Sequence, residues 1–293
     1  MKKSVLTTLL LNLALLLSAQ TLDGDITETV VSGIEEVARK MIGTSFTPMT
    51  GYDKGDYQIT SAAGFTLVNA LGSDVEGDGL YGYSGGIGGG YALTDRVLVY
   101  TIVNGLFVDG TVEAPFLGDG YDDSGAALSL TMADLFVGAG YDVLSHPHFS
   151  LPLFAGMHAA WYDYSGDLDD SDVLSGTVDG VISGSGLTPG FSGGAAAEYK
   201  KNRFSLGAYY IFMVDFYGVE GEADFSYDSE SISGSETDDF RTPSYYGGTY
   251  GLYTGFKPGK NWAFSLNLSD LLSFVKEDEA ELMTLALSVS YYK

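Results

Sequence analysis

The sequence predicts an all-β fold, a transmembrane, antiparallel, up-and-down β-barrel of about ten strands preceded by one amphipathic helix. Three observations predict it: a leader for export with no later long apolar run, hydrophobic periodicity of two along most of the chain, and connections that alternate in length. The barrel is expected over residues 57–293. Twelve strands are the alternative, if residues 44–56 or part of the segment 218–244 also pairs.

The N-terminus has the pattern of a secretory signal peptide. Two lysines precede an almost unbroken apolar run over residues 5–17, and Ser18 and Ala19 are small residues suited to cleavage. The run is too short for a comfortable transmembrane helix. We therefore expect residues 1–19 to be removed on export, and a retained anchor helix is the alternative.

The composition excludes several classes of protein. No cysteine is present, so disulfides and thiolate metal sites cannot form. The formal net charge of −25 argues against a nucleic-acid partner, which needs a basic surface. Hydrophobic residues make up 45% and aromatic residues 13% of the chain, too many for a disordered protein. The 40 glycines, 21 tyrosines and 16 phenylalanines indicate a chain of strands and turns.

Residues 25–42 differ from the rest because their apolar side chains recur at helical spacing. The apolar face of this predicted helix consists of Ile26, Val30, Ile34, Val37 and Met41. Charged side chains lie on the other face, and Gly43 follows as a stop. The segment 20–56 is therefore expected to be a plug for the barrel or a periplasmic segment.

From about Tyr57 the hydrophobic period is two, as expected for strands with one apolar face. One such set, along residues 204–216, is Phe204, Leu206, Ala208, Tyr210, Phe212, Val214 and Phe216. Segments of this length match the requirement for crossing a bilayer at a tilt. The apolar face is expected to contact lipid and the opposite face to line the lumen.

The connections alternate between short polar turns and long acidic loops. The predicted short turns are 94–96, 145–148, 200–203 and 257–261. The predicted long loops are 70–79, 110–124, 164–187, 218–244 and 269–280. Short turns on one side and long loops on the other are typical of barrels in the outer membrane, with the short turns in the periplasm. Both chain termini are then periplasmic.

The C-terminal sequence ALSVSYYK alternates towards an aromatic end, and in this the chain resembles the outer-membrane β-barrel class. The resemblance is architectural, covers about residues 57–293 and implies an outer-membrane location. It also implies contact with outer-membrane lipid and lipopolysaccharide, and insertion by the barrel-assembly machinery. The predicted helix before the barrel resembles the hatch of fatty-acid transporters or the helix inside autotransporter barrels. In the class the aromatic residue is typically terminal, whereas here Lys293 follows it.

The glycine-rich stretch YGYSGGIGGGYALTDRVLVY, residues 81–100, is not a phosphate-binding loop, because no phosphate-loop spacing fits it and no helix pattern follows. As a strand, turn and strand it directs a stripe of small side chains into the lumen: Gly82, Ser84, Gly86, Gly88 and Gly90. A second stripe contains Gly190, Ser192 and Gly194. We predict that these stripes make room for the helix or for an elongated small molecule; relief of strain in a curved wall is the alternative.

Four larger polar residues are also expected in the lumen: His158, Glu198, Arg203 and Asp215. Such residues usually form a polar interior in small barrels. His158 has Asp215 as a candidate carboxylate neighbour, but no serine stands out as a nucleophile. The sequence therefore predicts no catalytic site and no cofactor.

Acidic clusters in the predicted loops are expected to be solvated, and one of them is a weak candidate for Ca²⁺: Asp167, Asp169, Asp170 and Asp172. Three functions remain open from sequence. The first is a narrow plugged channel or transporter for a small or hydrophobic solute, with a small molecule in the lumen. The others are a structural or adhesive surface barrel acting through acidic loops, and a lipid-modifying barrel enzyme.

Overall fold

A computed structural model describes residues 52–69, 80–113, 125–173, 176–229, 233–241, 244, 246–269 and 281–293. The predicted signal peptide, the predicted helix with its apolar face, and most of the 44–56 segment lie outside the described residues. Within the described ranges, no helix is long and apolar enough to cross a membrane.

The described chain forms strands almost throughout. The first six strands are β1 (Tyr57–Asn69), β2 (Leu80–Ala92), β3 (Val97–Glu113), β4 (Gly125–His146), β5 (Phe149–Val173) and β6 (Gly176–Lys201). The others are β7 (Phe204–Asp215), β8 (Glu220–Ser229), β9 (Ser233–Arg241), β10 (Tyr246–Phe256), β11 (Trp262–Ser269) and β12 (Glu281–Tyr292).

Ten of these strands close into an antiparallel barrel, as predicted. The order of hydrogen-bonded neighbours is β5-β4-β3-β2-β1-β12-β11-β10-β7-β6, and pairing of β5 with β6 closes the ring. The first and last strands of the barrel meet where β1 pairs with β12, with Tyr57 N–H donating to the Lys293 carbonyl at 3.0 Å and the reverse bond also at 3.0 Å. Lys293 therefore belongs to the ladder, and both ends of the barrel lie at the edge that carries the short turns.

The twelve-strand alternative predicted extra strands in the segment 218–244, and the β8–β9 hairpin is found there, but outside the ring. This hairpin lies within the predicted 218–244 loop and pairs with the outer part of β6, at residues 176–184, instead of adding to the ring. The predicted loop 164–187 is also wrong, because β5 and β6 are 25 and 26 residues long and continue as a ladder to Val173 and Gly176. The backbone ladder between β5 and β6 continues through this extension, with one register shift between Leu168 and Ser171.

The outer surface of the barrel is apolar, which decides its environment. Large apolar side chains there are exposed, and six of them are 58–65% exposed: Tyr83, Ile87, Leu187, Phe204, Leu206 and Leu287. The inward residues of the same strands are mostly buried, and in β7 the two classes alternate residue by residue. A belt of exposed apolar side chains around a closed wall is stable in lipid and would aggregate in water.

Candidate functional site

Three polar side chains meet inside the wall formed by β5, β6 and β7. His158 Nδ1 lies 2.5 Å from Ser192 Oγ, and His158 Nε2 lies 2.6 Å from Asp215 Oδ1. The exposed fraction is 4% for His158, 4% for Ser192 and 2% for Asp215. A buried carboxylate costs several kcal/mol unless it is paired, so the imidazole is the group that permits Asp215 at this position.

The register of three neighbouring strands brings this triad together. His158 pairs across the ladder with Gly190, and Gly190 pairs in turn with Asp215 at the outer end of β7. Ser192 lies two residues from Gly190, so its side chain points to the same side of the sheet. Sequence reasoning selects His158 and Asp215 as neighbours but gives Ser192 only as a member of a bare stripe.

Gly190 is a requirement of this geometry. A β-carbon at position 190 would overlap the imidazole ring of His158 and the Val214 carbonyl oxygen. The absence of a side chain therefore lets the ring lie flat against the wall between its two partners. Both ring nitrogens are occupied, which holds the imidazole in one orientation.

Below the triad, towards the short turns, aromatic rings fill the lumen. They belong to one buried cluster with Leu98, Ile211 and Met213; its rings are Tyr52, Tyr100, Phe136, Phe154, Tyr209 and Tyr253. Tyr100 stacks on Phe136 with ring centroids 5.3 Å apart, and the centroids of Tyr209 and Tyr253 are 6.4 Å apart. We call this cluster the aromatic layer. The aromatic layer was not predicted from sequence, because most aromatic side chains were expected on the lipid face.

Several lumen glycines make room for the barrel's own side chains. A β-carbon on Gly194 would meet the Phe154 ring at 2.7 Å, and one on Gly251 would meet the Tyr209 ring at 2.5 Å. At Gly88 and Gly90 the neighbours are Ile102 at 3.2 Å and Leu98 at 3.1 Å. This is a third explanation beside the two considered from sequence. For Gly82 and Gly86, room for a helix or ligand stays a prediction.

The opposite wall, formed by β1, β11 and β12, is lined with hydroxyl groups. The Oγ atoms of Ser265 and Ser288 are 2.5 Å apart, and Thr66 and Thr284 hydroxyls are 2.7 Å apart. Thr60 Oγ1 lies 2.8 Å from Ser290 Oγ. The lumen is therefore two-sided, with rings and aliphatic side chains on one wall and small hydroxyl-bearing side chains on the other.

The outer half of the bulky wall is aliphatic. Its inward side chains on β3 and β4 are at most 9% exposed: Leu106, Val108, Leu128, Leu130 and Met132. Wide aqueous barrels have a polar interior instead. The β3–β4 side of the described outer lumen is therefore apolar.

A cavity of about 460 Å³ opens at the edge of the barrel that carries the short turns. Tyr52, Glu198, Lys200, Tyr253 and Lys257 are among its lining residues. Tyr52 precedes β1 yet is only 7% exposed. Burial, followed by the negative charge of Asp142, raises the pKa of Tyr52 to about 12.

The remaining predicted site residues are dispersed. Glu198 is buried on the inner side of β6, where its Oε2 lies 3.3 Å from Lys200 Nζ and 3.2 Å from Ser150 Oγ. Arg203 is exposed in the turn before β7 and borders the cavity, because β6 ends at Lys201.

The Ca²⁺ candidates belong to strand β5 and not to a loop, which corrects their predicted setting. Of these residues the structure describes the side chain of Asp167 alone, and it is exposed. In the part of the chain that the structure describes, no group of three His, Asp or Glu side chains has the arrangement of a metal site. Ca²⁺ binding there stays a prediction.

Comparison with known proteins assigns this chain to no family. No family model matches the sequence, and no curated protein matches it. The chain is similar to the solved structure of the outer membrane protease OmpT from Escherichia coli, with 11% identity and a TM-score of 0.39 over 85% of this chain and 100% of that chain. It is similar to the translocator domain of the autotransporter NalP from Neisseria meningitidis, with 11% identity and a TM-score of 0.40 over 92% and 99% of the two chains.

A third similar structure is a TodX monoaromatic hydrocarbon channel mutant, with 12% identity and a TM-score of 0.43 over 85% of this chain and 90% of that chain. Protease, autotransporter and channel share barrel architecture, so these likenesses carry no functional argument. The closed antiparallel wall, its apolar outer belt and its short turns at one edge instead carry the assignment. By these features the chain is an outer-membrane β-barrel protein.

Proposed function

We propose that this barrel is a narrow, plugged passage for a small solute with apolar surface. The position of Tyr52 carries the proposal. Its ring belongs to the aromatic layer although it lies outside any strand, so the chain just before β1 is inside the barrel mouth. A segment continuing from that point has direct access to the lumen. We propose that residues 20–56 form the plug.

The size of the ring supports a narrow passage. Ten strands enclose a lumen that side chains can fill, whereas a wide aqueous channel takes about 16 strands. The aromatic layer narrows the described lumen further. A general diffusion porin is therefore disfavoured.

The chemistry of the lumen supports a solute with an apolar surface. Leu130 and Met132 are each 2% exposed on the inward side of β4 and belong to the aliphatic outer part of the wall. The hydroxyl-lined wall opposite supplies donors and acceptors. A solute with one apolar face and one polar edge has a partner on both walls.

Single-channel conductance of the refolded full chain tests the plug. We expect closed behaviour for the full chain and a rise in conductance when residues 20–50 are deleted. A matched control is deletion of residues 221–240, which belong to the hairpin outside the ring. That deletion should leave the conductance closed. Closed behaviour after both deletions would refute the plug.

The preference for an apolar solute is tested by an uptake assay in cells whose outer leaflet is lipopolysaccharide. Such cells are needed because apolar probes cross ordinary phospholipid bilayers unaided. We expect uptake of N-phenyl-1-naphthylamine to rise on expression of the chain lacking residues 20–50. Met132→Glu, which places a carboxylate in the aliphatic outer part of the wall, should lower that uptake if the variant folds. Equal uptake by a folded Met132→Glu barrel would argue against an apolar route.

Insertion into the membrane is part of the same proposal. Tyr291 and Tyr292 end β12 next to the chain terminus, which supports recognition by the barrel-assembly machinery. The exposed apolar belt supports contact with outer-membrane lipid and, in the outer leaflet, with lipopolysaccharide.

We propose a second candidate function for the triad, hydrolysis of a small ester. The observation favouring it is the chain of contacts from Ser192 through His158 to Asp215. Ser192 Oγ attacks the ester carbonyl while its proton passes to His158 Nδ1, and that proton then leaves with the alcohol. Water hydrolyses the acyl-serine to release the acid. The lumen position favours a small ester over a membrane lipid.

A fluorophosphonate probe tests the nucleophile. We expect the probe to label Ser192, with the adduct located by mass spectrometry, and Ser192→Ala to abolish labelling. Ser288→Ala is the matched control, since Ser288 is also a buried lumen serine in contact with another polar group. No labelling, or labelling that survives Ser192→Ala, would remove this second function.

A further inference from the structure

The cavity at the periplasmic edge has a charge unlike that of the rest of the protein. Three cationic side chains line it, Lys200, Arg203 and Lys257, together with two acidic ones, Asp53 and Glu198. The whole chain has a formal net charge of −25. A locally cationic cavity in such an acidic protein is a site where an anion is favoured.

The two carboxylates of the cavity compensate the charge of some of these cations and not of others. Glu198 lies 3.3 Å from Lys200, so its charge is already compensated. Lys257 Nζ lies 4.5 Å above the centroid of the Tyr292 ring, and among the described residues it forms no ion pair with a carboxylate. A cation over an aromatic face keeps its full charge available to a ligand.

The surroundings of Lys257 also disfavour the charged form of its amine. Lys257 is exposed as a residue, but partial burial of its ammonium, followed by repulsion from the Lys200 ammonium, lowers its pKa, and the attraction of Asp56 and Glu198 opposes this only in part. A bound anion would relieve both effects, since it supplies the opposite charge next to the two ammonium groups.

A second, independent feature of the cavity is a buried hydroxyl. Tyr253 is 3% exposed and lines the cavity, and its Oη has no hydrogen-bond partner among the described residues. The hydroxyl lies against Gly207, so a ligand reaches it only when the Tyr253 ring moves. Leaving a buried hydroxyl unbonded costs about 1–3 kcal/mol, which favours such a movement when a ligand acceptor is present. The rings of Tyr253 and Tyr292 provide flat apolar surface beside that hydroxyl.

We propose that this cavity binds a small aromatic carboxylate, with the carboxylate beside Lys257 and Lys200 and the ring against Tyr253 and Tyr292. The volume of about 460 Å³ suits a ligand of this size. The Tyr253 hydroxyl donates to a carboxylate oxygen. Tyr52 and Asp53 belong to the proposed plug segment and line the cavity, so the proposal requires that the plug leaves the cavity free. It does not depend on the ester hydrolysis, and binding is measured without passage or turnover.

Isothermal titration calorimetry of the refolded full chain in a zwitterionic detergent tests the site, with benzoate as the probe. Benzyl alcohol, which has the same ring and no charge, separates charge recognition from partition into the micelle. We expect saturable binding of benzoate and none of benzyl alcohol. No saturable benzoate binding would overturn the proposal, including the case in which the chain's own N-terminal residues fill the cavity.

Two pairs of lysines provide matched controls. Lys257→Met should lower the benzoate affinity at least about tenfold, whereas Lys260→Met, an exposed lysine in the same turn that does not line the cavity, should leave it unchanged. Lys200→Met and the exposed Lys201→Met form a second pair with the same expectation. Equal affinities within both pairs would overturn the proposal.

Two further variants guard against a general loss of structure. Lys257→Arg preserves the charge and should retain binding. Tyr253→Phe removes only the hydroxyl and should weaken benzoate about fivefold. Folding of every variant is checked by heat-modifiable electrophoretic mobility. Weak binding by a folded Lys257→Arg would argue against recognition through charge.

Discussion

His158 lies so close to Gly190 on the neighbouring strand that a β-carbon at position 190 would overlap its imidazole ring. Gly190→Ala should therefore displace the ring from Ser192 and Asp215 and destabilise the barrel by about 1–3 kcal/mol. Urea unfolding in lipid vesicles measures this. Gly89→Ala is the control, because its nearest neighbour, the Gln58 carbonyl oxygen, lies at an ordinary 3.6 Å. Equal stability of the two variants would contradict the expectation.

Asp215 is expected to depend on His158 for its burial. Asp215→Ala removes one partner of a buried pair whose side chains are 1% and 0% exposed, and should cost about 3–5 kcal/mol in unfolding free energy. Asp163→Ala changes an exposed carboxylate on the same sheet and should change stability by less than about 0.5 kcal/mol. If Asp215→Ala left the unfolding free energy unchanged, the contact between His158 and Asp215 would not stabilise the barrel.

The hairpin formed by β8 and β9 should be dispensable for the barrel. Deleting residues 221–240 and joining Glu220 to Arg241 with a short Gly-Ser link removes strands that pair only with β6 and with each other. The β5–β6 pairing that closes the ring is untouched. We expect the variant to retain heat-modifiable mobility after refolding. Failure to fold would mean that the hairpin contributes to assembly.

Alkaline unfolding should report the burial of Tyr52. The pKa of this phenol is about 12 in the folded barrel, against 10.0 for an unperturbed tyrosine, so the folded state prefers the neutral form. The stability this contributes is present below pH 10 and is lost as the pH rises to about 12. Wild type should therefore lose more stability across this window than Tyr52→Phe. Parallel losses in the two proteins would place Tyr52 outside the aromatic layer.

Strand faces were predictable from sequence because alternation is a local property. In β7 the side chains of Phe204, Leu206 and Tyr210 are exposed and those of Tyr209 and Ile211 are buried, as period two requires. The number of strands in the ring followed from the alternation of short and long connections. The outer extensions of β5 and β6 were not predictable, because acidic, Gly-rich and Ser-rich strands outside lipid have no apolar face to detect.

The candidate site was predictable only in part. Local alternation placed His158, Ser192 and Asp215 on the inner face, but the contacts among them depend on the register of β5, β6 and β7. Tyr253 and Lys257 had no local signal at all. Their environment is made by residues up to two hundred positions away, including Tyr52 and Glu198.

The sequence by itself determined a chain of alternating strands whose apolar faces require lipid, and hence the barrel. Tertiary structure alone decided what fills the lumen, because that depends on which inward side chains meet across strands. Phe154 against Gly194 and His158 between Ser192 and Asp215 are such meetings. Periodicity sets the face of a residue, whereas ring closure and register set its neighbours.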